Sequence, residues 1–391
     1  MGLAEPLLRA LDQNNFKTPT PIQTEAIPAI MRGQDVIASA QTGSGKTMAF
    51  CLPLMNRVIE TPSDRILILT PTRELAMQIR EVVKTLSRFY SGIQTCVLIG
   101  GSGMSAQLRS LRSRPAIVIA TPGRLLDHCE RRSIQLKDFN HVVLDESDRM
   151  LDMGFEPAMK AVFKELPSKK QCLLFSATLS PEIQRLANNY LREPVRVQVG
   201  QLNQAAPDVE QSHLMLSGSD KNSQLIIDLQ SNTGKTLIFT RTKRRAESLS
   251  RNISKSQIEN GCLHGDRSQS QRNRALQDFR SGRKMVLVAT DVASRGLDVE
   301  DIERVINFDL PNTREDYIHR IGRTGRAGER GFALSYVTPE EARQWRHLQS
   351  DKAESTDSRN APKKRFRPKF RFRPKWAGRS RQPGRRSSFQ A

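Results

Sequence analysis

In the stretch His141-Val-Val-Leu-Asp-Glu-Ser-Asp-Arg149 three carboxylates fall within four residues, directly after an apolar run that reads as a buried strand. Like charges at that spacing raise one another's pKa, and desolvation at a strand end makes matters worse, so the cluster calls for positive charge opposite it. Farther upstream the chain offers a way to supply it. Ala40-Gln-Thr-Gly-Ser-Gly-Lys-Thr47 follows the apolar run DVIAS and precedes a helical pattern, the context a phosphate-binding loop needs. Gly43 and Gly45, with Ser44 between them, let the backbone turn its N–H groups toward phosphate, and the following helix N-terminus adds positive potential. Lys46 is placed to reach the β- and γ-phosphates of a nucleotide, and the Thr47 hydroxyl to ligate Mg²⁺. Ala40 stands where the usual pattern has glycine and is still small. With Mg²⁺ and a triphosphate in place, Asp145 would hold the metal through water and Glu146 would position and deprotonate an attacking water. Asp148 lies farther along and would tie the loop to neighbouring polar groups.

Those residues need a scaffold. Short β-rich apolar runs recur at Asp35–Ser39, Arg65–Thr70, Thr95–Ile99, Ala116–Ala120, His141–Leu144 and Cys172–Ser176, each followed by a helical pattern. Such alternation predicts a parallel sheet with helices on both faces. After Val199 the text loosens to GQLNQAAPDVEQS, which reads as a linker. The alternation resumes at Thr236–Thr240, Met285–Ala289, Arg304–Phe308 and Phe332–Val337, so the chain reads as two α/β domains in tandem, residues 1–207 and 208–350. Beyond them, residues 351–391 change composition abruptly, and RFRPKF is followed at once by RFRPKW. Proline in each unit forbids helix and the charge forbids a packed core, so this tail is expected to be disordered when free.

Formal charge is +21 over 391 residues, and the tail holds fourteen Lys/Arg against three Asp/Glu. A surface of that sign attracts polyanions. In the tail Phe366, Phe370, Phe372 and Trp376 alternate with Arg and Lys, so bases can stack while phosphates are neutralised, which predicts salt-sensitive, sequence-tolerant anchoring to nucleic acid. The five cysteines are scattered, none in a CxxC pair or at ligand spacing with histidine, and read as reduced core thiols. Glu5 and Asp12 interrupt the N-terminal helical pattern and no apolar run approaches membrane-span length, so a soluble, cytoplasmic protein is expected.

Further stretches fall in order along the body: Phe16-Lys-Thr-Pro-Thr-Pro-Ile-Gln23, PTRELA at 71–76, TPGR at 121–124, DESD, SAT at 176–178, SRGLD at 294–298 and HRIGRTGR at 319–326. Together they closely resemble the DEAD-box ATP-dependent RNA helicases, most of all bacterial members. The resemblance implies two RecA-like domains that close around ATP and single-stranded RNA. It implies that Phe16 stacks on adenine, Gln23 hydrogen-bonds its edge and Asp298 touches the ribose. From the second domain Arg323 and Arg326 would act as arginine fingers on the γ-phosphate, with His319 in the water network. Guanidinium groups supplied by another domain would make hydrolysis depend on closure.

Arg73, Gly101, Thr121 and Arg124 in the first domain, and Gln269, Arg272 and Thr290 in the second, match positions that line an RNA backbone in this family, contacts that ignore base sequence. Ser176 and Thr178 would couple hydrolysis to strand separation. Two positions depart from the family pattern: Ser147 makes DESD of DEAD, and Asn15 replaces the usual glycine before the aromatic. The function expected is RNA-stimulated ATP hydrolysis that opens short duplexes or remodels ribonucleoproteins, in ribosome assembly or RNA turnover. The alternatives are an ATP-gated RNA clamp and a DNA helicase of the same superfamily.

Overall fold

The computed structural model describes residues 2–40, 43–199, 209–294, 299, 301–325 and 330–349. Thirteen strands occur among them: β1 Val36–Ser39, β2 Ile66–Leu69, β3 Thr95–Leu98, β4 Ile117–Ala120, β5 His141–Leu144, β6 Gln171–Ser176, β7 Val195–Gln198, β8 Val209–Met215, β9 Lys235–Thr240, β10 Asn260–Leu263, β11 Val286–Thr290, β12 Ile302–Asn307 and β13 Gly331–Val337. They form two parallel sheets, ordered β3-β4-β2-β5-β6-β1-β7 and β10-β11-β9-β12-β13-β8. A helix follows most strands, as a parallel crossover demands. The two parallel α/β lobes anticipated from the alternating pattern are therefore present.

Residue alternation shows why the central strands read as continuous apolar runs. In β2, Ile66 and Ile68 join one core cluster and Leu67 and Leu69 join another. In β9, Ile238 faces one cluster while Leu237 and Phe239 face the other. Each sheet thus buries both faces under helices, and a strand covered on both sides has no polar face to reveal its period of two.

The sequence pattern misses β7, β8 and β10, and all three lie at sheet edges. In β8, VEQSHLM is half exposed and carries polar residues, so its amino end reads as linker, whereas the strand begins at Val209 and pairs in parallel with β13. The β10 segment begins Asn-Gly, a turn signal, yet it pairs with β11 along its full length. The tail, residues 351–391, lies outside the described residues. No helix among the described residues is long and apolar enough to cross a membrane.

In the first lobe the carboxyl ends of β1, β2, β4, β5 and β6 lead into segments 40–47, 70–76, 121–124, 145–148 and 176–178. All the first-lobe sequences with chemical character except the stretch around Phe16 and Gln23 therefore gather along one edge, where open α/β sheets place their ligands.

Candidate active site

At the end of β1 the chain turns through Gly43 (φ +86°) and Gly45 (φ +92°) into the helix Lys46–Glu60. A Cβ on Gly45 would come within 2.5 Å of Gln23 Nε2 and 2.9 Å of Thr20 Oγ1, so both the backbone twist and the close neighbours require glycine here. Gln23 donates from Nε2 to the Gly45 carbonyl at 3.2 Å and accepts from the Thr20 N–H at 3.0 Å. The glutamine assigned to adenine by resemblance thus also braces the loop from behind. Lys46 is buried and donates to the Ala40 carbonyl. Burial lowers its pKa, and Asp145, Glu146 and Asp148 pull the other way. The Ser44 hydroxyl is buried without a hydrogen-bond partner among the described residues.

The carboxylate cluster follows β5, whose end is fixed to β2 by the Asp145 N–H donating to the Leu69 carbonyl at 2.9 Å. Asp145 is buried, and burial first, then the neighbouring Glu146 charge, push its carboxyl up to about 7 against the opposing pull of Lys46. Glu146 occupies the left-handed region (φ +50°, ψ +51°), which throws its side chain out of the strand's line and starts the helix Ser147–Asp152. Asp148 turns away from this pair. It accepts from the Ala177 N–H at 3.0 Å and the Thr178 hydroxyl at 3.4 Å, while Ser176 Oγ accepts from the Thr178 N–H at 3.3 Å. The third carboxylate of the crowded trio is therefore bound to the 176–178 segment at the end of β6. Ser147 donates its hydroxyl to the Phe175 carbonyl at 3.1 Å, which explains why a small polar side chain serves at this position.

Both lobes contribute to a single cavity of about 970 Å³. Lys46, Thr47, Asp145 and Glu146 line it from the first lobe, and Arg323 and Val299 from the second. Phe16 also lies on its wall, 50% exposed, an aromatic face without protein packed over it. His319 has its pKa lowered to about 3 by burial, then by the charge of Arg149, with Arg323 acting in the same sense and Asp148 opposing. It is a neutral imidazole at ordinary pH. Asp298 and Arg326 lie outside the described residues.

The positions assigned to RNA divide into two groups. Arg73 opens the helix Arg73–Leu86 at the end of β2, and its guanidinium lies over Gly100 and Gly101, where a Cβ on either glycine would strike it. Gly101 has φ +77°. Burial lowers the Arg73 pKa, and Arg272 and Arg124 add to that effect while Glu74 opposes it. Arg73 and Arg124 thus bring positive charge to one region, beside the Arg272–Glu74 pair. Arg124 also approaches Asp127 at 3.5 Å, and Thr121 precedes the helix Pro122–Glu130. Gln269 and Arg272, on the second lobe, meet a carboxylate of the first. Arg272 is buried, with Nε donating to Glu74 Oε1 at 2.7 Å and Nη2 lying 2.6 Å from Oε2, and Gln269 Nε2 donates to the same carboxylate at 3.4 Å. These two side chains face the first lobe's Glu74 because that carboxylate, buried at the start of its helix, has to be neutralised. Thr290 ends β11 and is buried.

Three residues important to this geometry give no signal in the sequence. Glu74 reads as an acidic helix cap. Arg149 reads as part of a solvated helix. Arg320 reads as one of the basic residues of HRIGRTGR, but its guanidinium is buried, bound to Asp291 at 2.5 and 2.7 Å, to Asn307 at 3.1 Å and to the Asp309 carbonyl at 2.7 Å, over the Phe239 ring. It anchors the helix Arg314–Ile321 to the sheet and so sets where His319 and Arg323 emerge.

A phosphate loop, a following pair of carboxylates and an arginine brought from a second parallel-sheet lobe define the class of two-lobed nucleoside triphosphatases. Residues 20–186 match the DEAD/DEAH box helicase family and residues 219–328 the helicase conserved C-terminal domain. The chain is 41% identical over 353 residues to the DEAD-box ATP-dependent RNA helicase RhpA of Helicobacter pylori, covering 90% of this chain and 71% of that protein. It is 39% identical over 366 residues to the DEAD-box ATP-dependent RNA helicase CshA of Bacillus cereus, covering 93% of this chain and 69% of that one. Among solved structures, S. cerevisiae Dbp5 bound to RNA and ADP BeF3 superposes with a TM-score of 0.80 at 32% identity, covering 89% of this chain and 91% of that chain. The chain belongs to the DEAD-box ATP-dependent RNA helicases.

Proposed function

We propose that this protein is an RNA-stimulated ATPase that locally opens short RNA duplexes, with the roles distributed as follows. The observation that carries the reading is the shared cavity, because Lys46 and Glu146 on one lobe meet Arg323 on the other across a space large enough for a nucleotide. Phe16 stacks on the adenine, and Gln23 holds both the base edge and the loop. The N–H groups around Gly43, Ser44 and Gly45 bind phosphate together with Lys46, whose ammonium leaves the Ala40 carbonyl for a phosphate oxygen.

Thr47 and Asp145 are hard oxygen donors suited to Mg²⁺, and a buried carboxyl raised to about 7 has its ionised form restored by a divalent cation. Held there, Mg²⁺ would supply positive charge to neutralise the transferring phosphates. Glu146 takes the proton of the attacking water, Arg323 and Arg326 stabilise the charge developing on the γ-phosphoryl group, and neutral His319 completes the hydrogen-bond network. Asp298 holds the ribose. Closure thereby becomes part of catalysis, since half the charged groups arrive with the second lobe.

RNA lies along Arg73, Gly101, Thr121 and Arg124 on the first lobe and near Gln269, Arg272 and Thr290 on the second, with contacts to phosphate and 2′-hydroxyl. Thr178, whose hydroxyl is bonded to Asp148, and Ser176, whose hydroxyl accepts from the Thr178 N–H, pass the state of the γ-phosphate to that surface. Residues 351–391 act as a basic, aromatic RNA anchor. The working compartment is the cytoplasm and the partners are ribosome-assembly or RNA-turnover complexes. The test is ATP turnover by purified protein with and without single-stranded RNA, with DNA of the same sequence as the comparison. Stimulation by RNA and not DNA is expected, and equal turnover with RNA, DNA and no nucleic acid would sink the reading.

A further inference from the structure

One buried charge near the cavity lacks the acceptors its chemistry demands. Arg149, in the helix Ser147–Asp152, is fully buried, and none of its three guanidinium nitrogens has a hydrogen-bond acceptor among the described residues. A guanidinium presents five N–H donors, and placing one out of water without acceptors is strongly unfavourable. Among the described residues the nearest carboxylate is Glu146, with Arg149 Nε 3.5 Å from Oε2, and that oxygen is itself buried without a hydrogen-bond partner there. Two opposite charges therefore stand just outside hydrogen-bonding range of each other, each unsatisfied.

The backbone adds to this. Because Glu146 is held at φ +50° and ψ +51°, the direction of its Cα–Cβ bond is set, and what freedom remains to the carboxylate is rotation about the side-chain bonds. A donor three residues on, within the same turn, removes that freedom. Catalytic hydrogen bonds are commonly long before substrate arrives and tighten in the substrate complex.

We propose that Arg149 is the positioning residue for Glu146: when a triphosphate is bound, the 3.5 Å ion contact shortens to a charge-assisted hydrogen bond that fixes Oε2 and leaves Oε1 facing the attacking water. The inference rests on Glu146 being the base. It gives the buried arginine a role that neither solvation nor packing supplies, since an apolar side chain of the same length would fill the space with no unsatisfied donors.

The test is a double-mutant cycle on single-turnover ATP hydrolysis with RNA present, using full-length Arg149→Met, Arg149→Lys, Glu146→Gln and the Arg149→Met/Glu146→Gln pair, alongside melting temperatures and KM for ATP. A misplaced catalytic group costs roughly 10²-fold. Arg149→Met should lose about that factor in kcat with KM changed by less than about threefold and no loss of melting temperature. Arg149→Lys should recover part of the rate, and Arg149→Met should cost nothing further in the Glu146→Gln background. Unchanged kcat in Arg149→Met, a loss that adds in full to that of Glu146→Gln, or a melting temperature lowered in both arginine variants would overturn the proposal. Wild-type turnover by Glu146→Gln alone would instead remove the assignment of the base.

Discussion

The residue that most directly reports on the site is Asp145. Its carboxyl is raised to about 7, so in the nucleotide-free protein it carries a proton through the acid range and loses it as the pH passes neutrality. A cation bound there requires the ionised form, so loading with ATP and Mg²⁺ near neutral pH should expel protons, and binding should tighten as the pH rises from 6 to 8. Calorimetry in two buffers of different ionisation enthalpy measures this directly. The buffer dependence should vanish in Asp145→Asn, and a wild-type enthalpy independent of buffer would contradict the assignment.

His319 makes the opposite kind of prediction. Its pKa is about 3 in the folded protein against the ordinary value of 6.5, so as the pH falls below 6.5 the unfolded chain takes up a proton that the folded chain refuses. Stability therefore drops on acidification through that window. His319→Gln should show a shallower fall in melting temperature between pH 7 and pH 5 than the wild type. Lys46 belongs to the same scale. Lys46→Ala should lower RNA-stimulated turnover by at least about 10²-fold, as expected when one preorganised positive donor is removed from a phosphoryl-transfer site.

At the scale of elements, the helices Arg73–Leu86 and Gln269–Arg280 are joined by the Glu74–Arg272 ion pair, buried on both sides. Removing one partner leaves the other charge out of water, which costs about 3 kcal/mol or more, whereas replacing both with apolar side chains is often nearly neutral. Each lobe has its own sheet and core clusters, so the cost should fall on closure and not on folding of either lobe. Arg272→Ala is expected to raise the half-saturating ATP concentration at fixed RNA roughly 10²-fold. The Glu74→Leu/Arg272→Met pair should lie nearer the wild type than the single variant, short of it by the RNA contact that Arg272 supplies. A distance reporter with one dye on each lobe distinguishes this from a defect in chemistry: the single variant should fail to close, and normal closure with reduced turnover would refute the account. The helix Arg314–Ile321 shows the same principle within one lobe, because the interior bonds of Arg320 decide where His319 and Arg323 point.

For the whole molecule the dominant quantity is charge. Residues 351–391 carry fourteen Lys/Arg and three Asp/Glu, +11 of the total of +21. Deleting them should weaken RNA affinity and flatten its dependence on salt, the slope falling by about 0.7 for each single-strand phosphate that the tail neutralises, while ATP turnover without RNA persists. Equal affinity for both proteins at every salt concentration would rule out an anchoring tail.

The chain text alone determined two parallel α/β lobes and located the glycine turn at 43–45 and the carboxylates after β5, because these depend on short-range rules: apolar runs long enough for a strand covered on both faces, and glycines where the backbone must turn. It did not disclose β7, β8 and β10, whose half-exposed or turn-like residues owe their extended form to a neighbouring strand. Nor did it disclose that Glu74 and Arg272, 198 positions apart, neutralise each other, or that Arg149 and Arg320 are interior. A charged side chain looks solvated in any local window. Whether it is buried, and what charge meets it there, is fixed only when distant segments pack, and in this protein those meetings are what place Arg323 and Glu146 around the cavity.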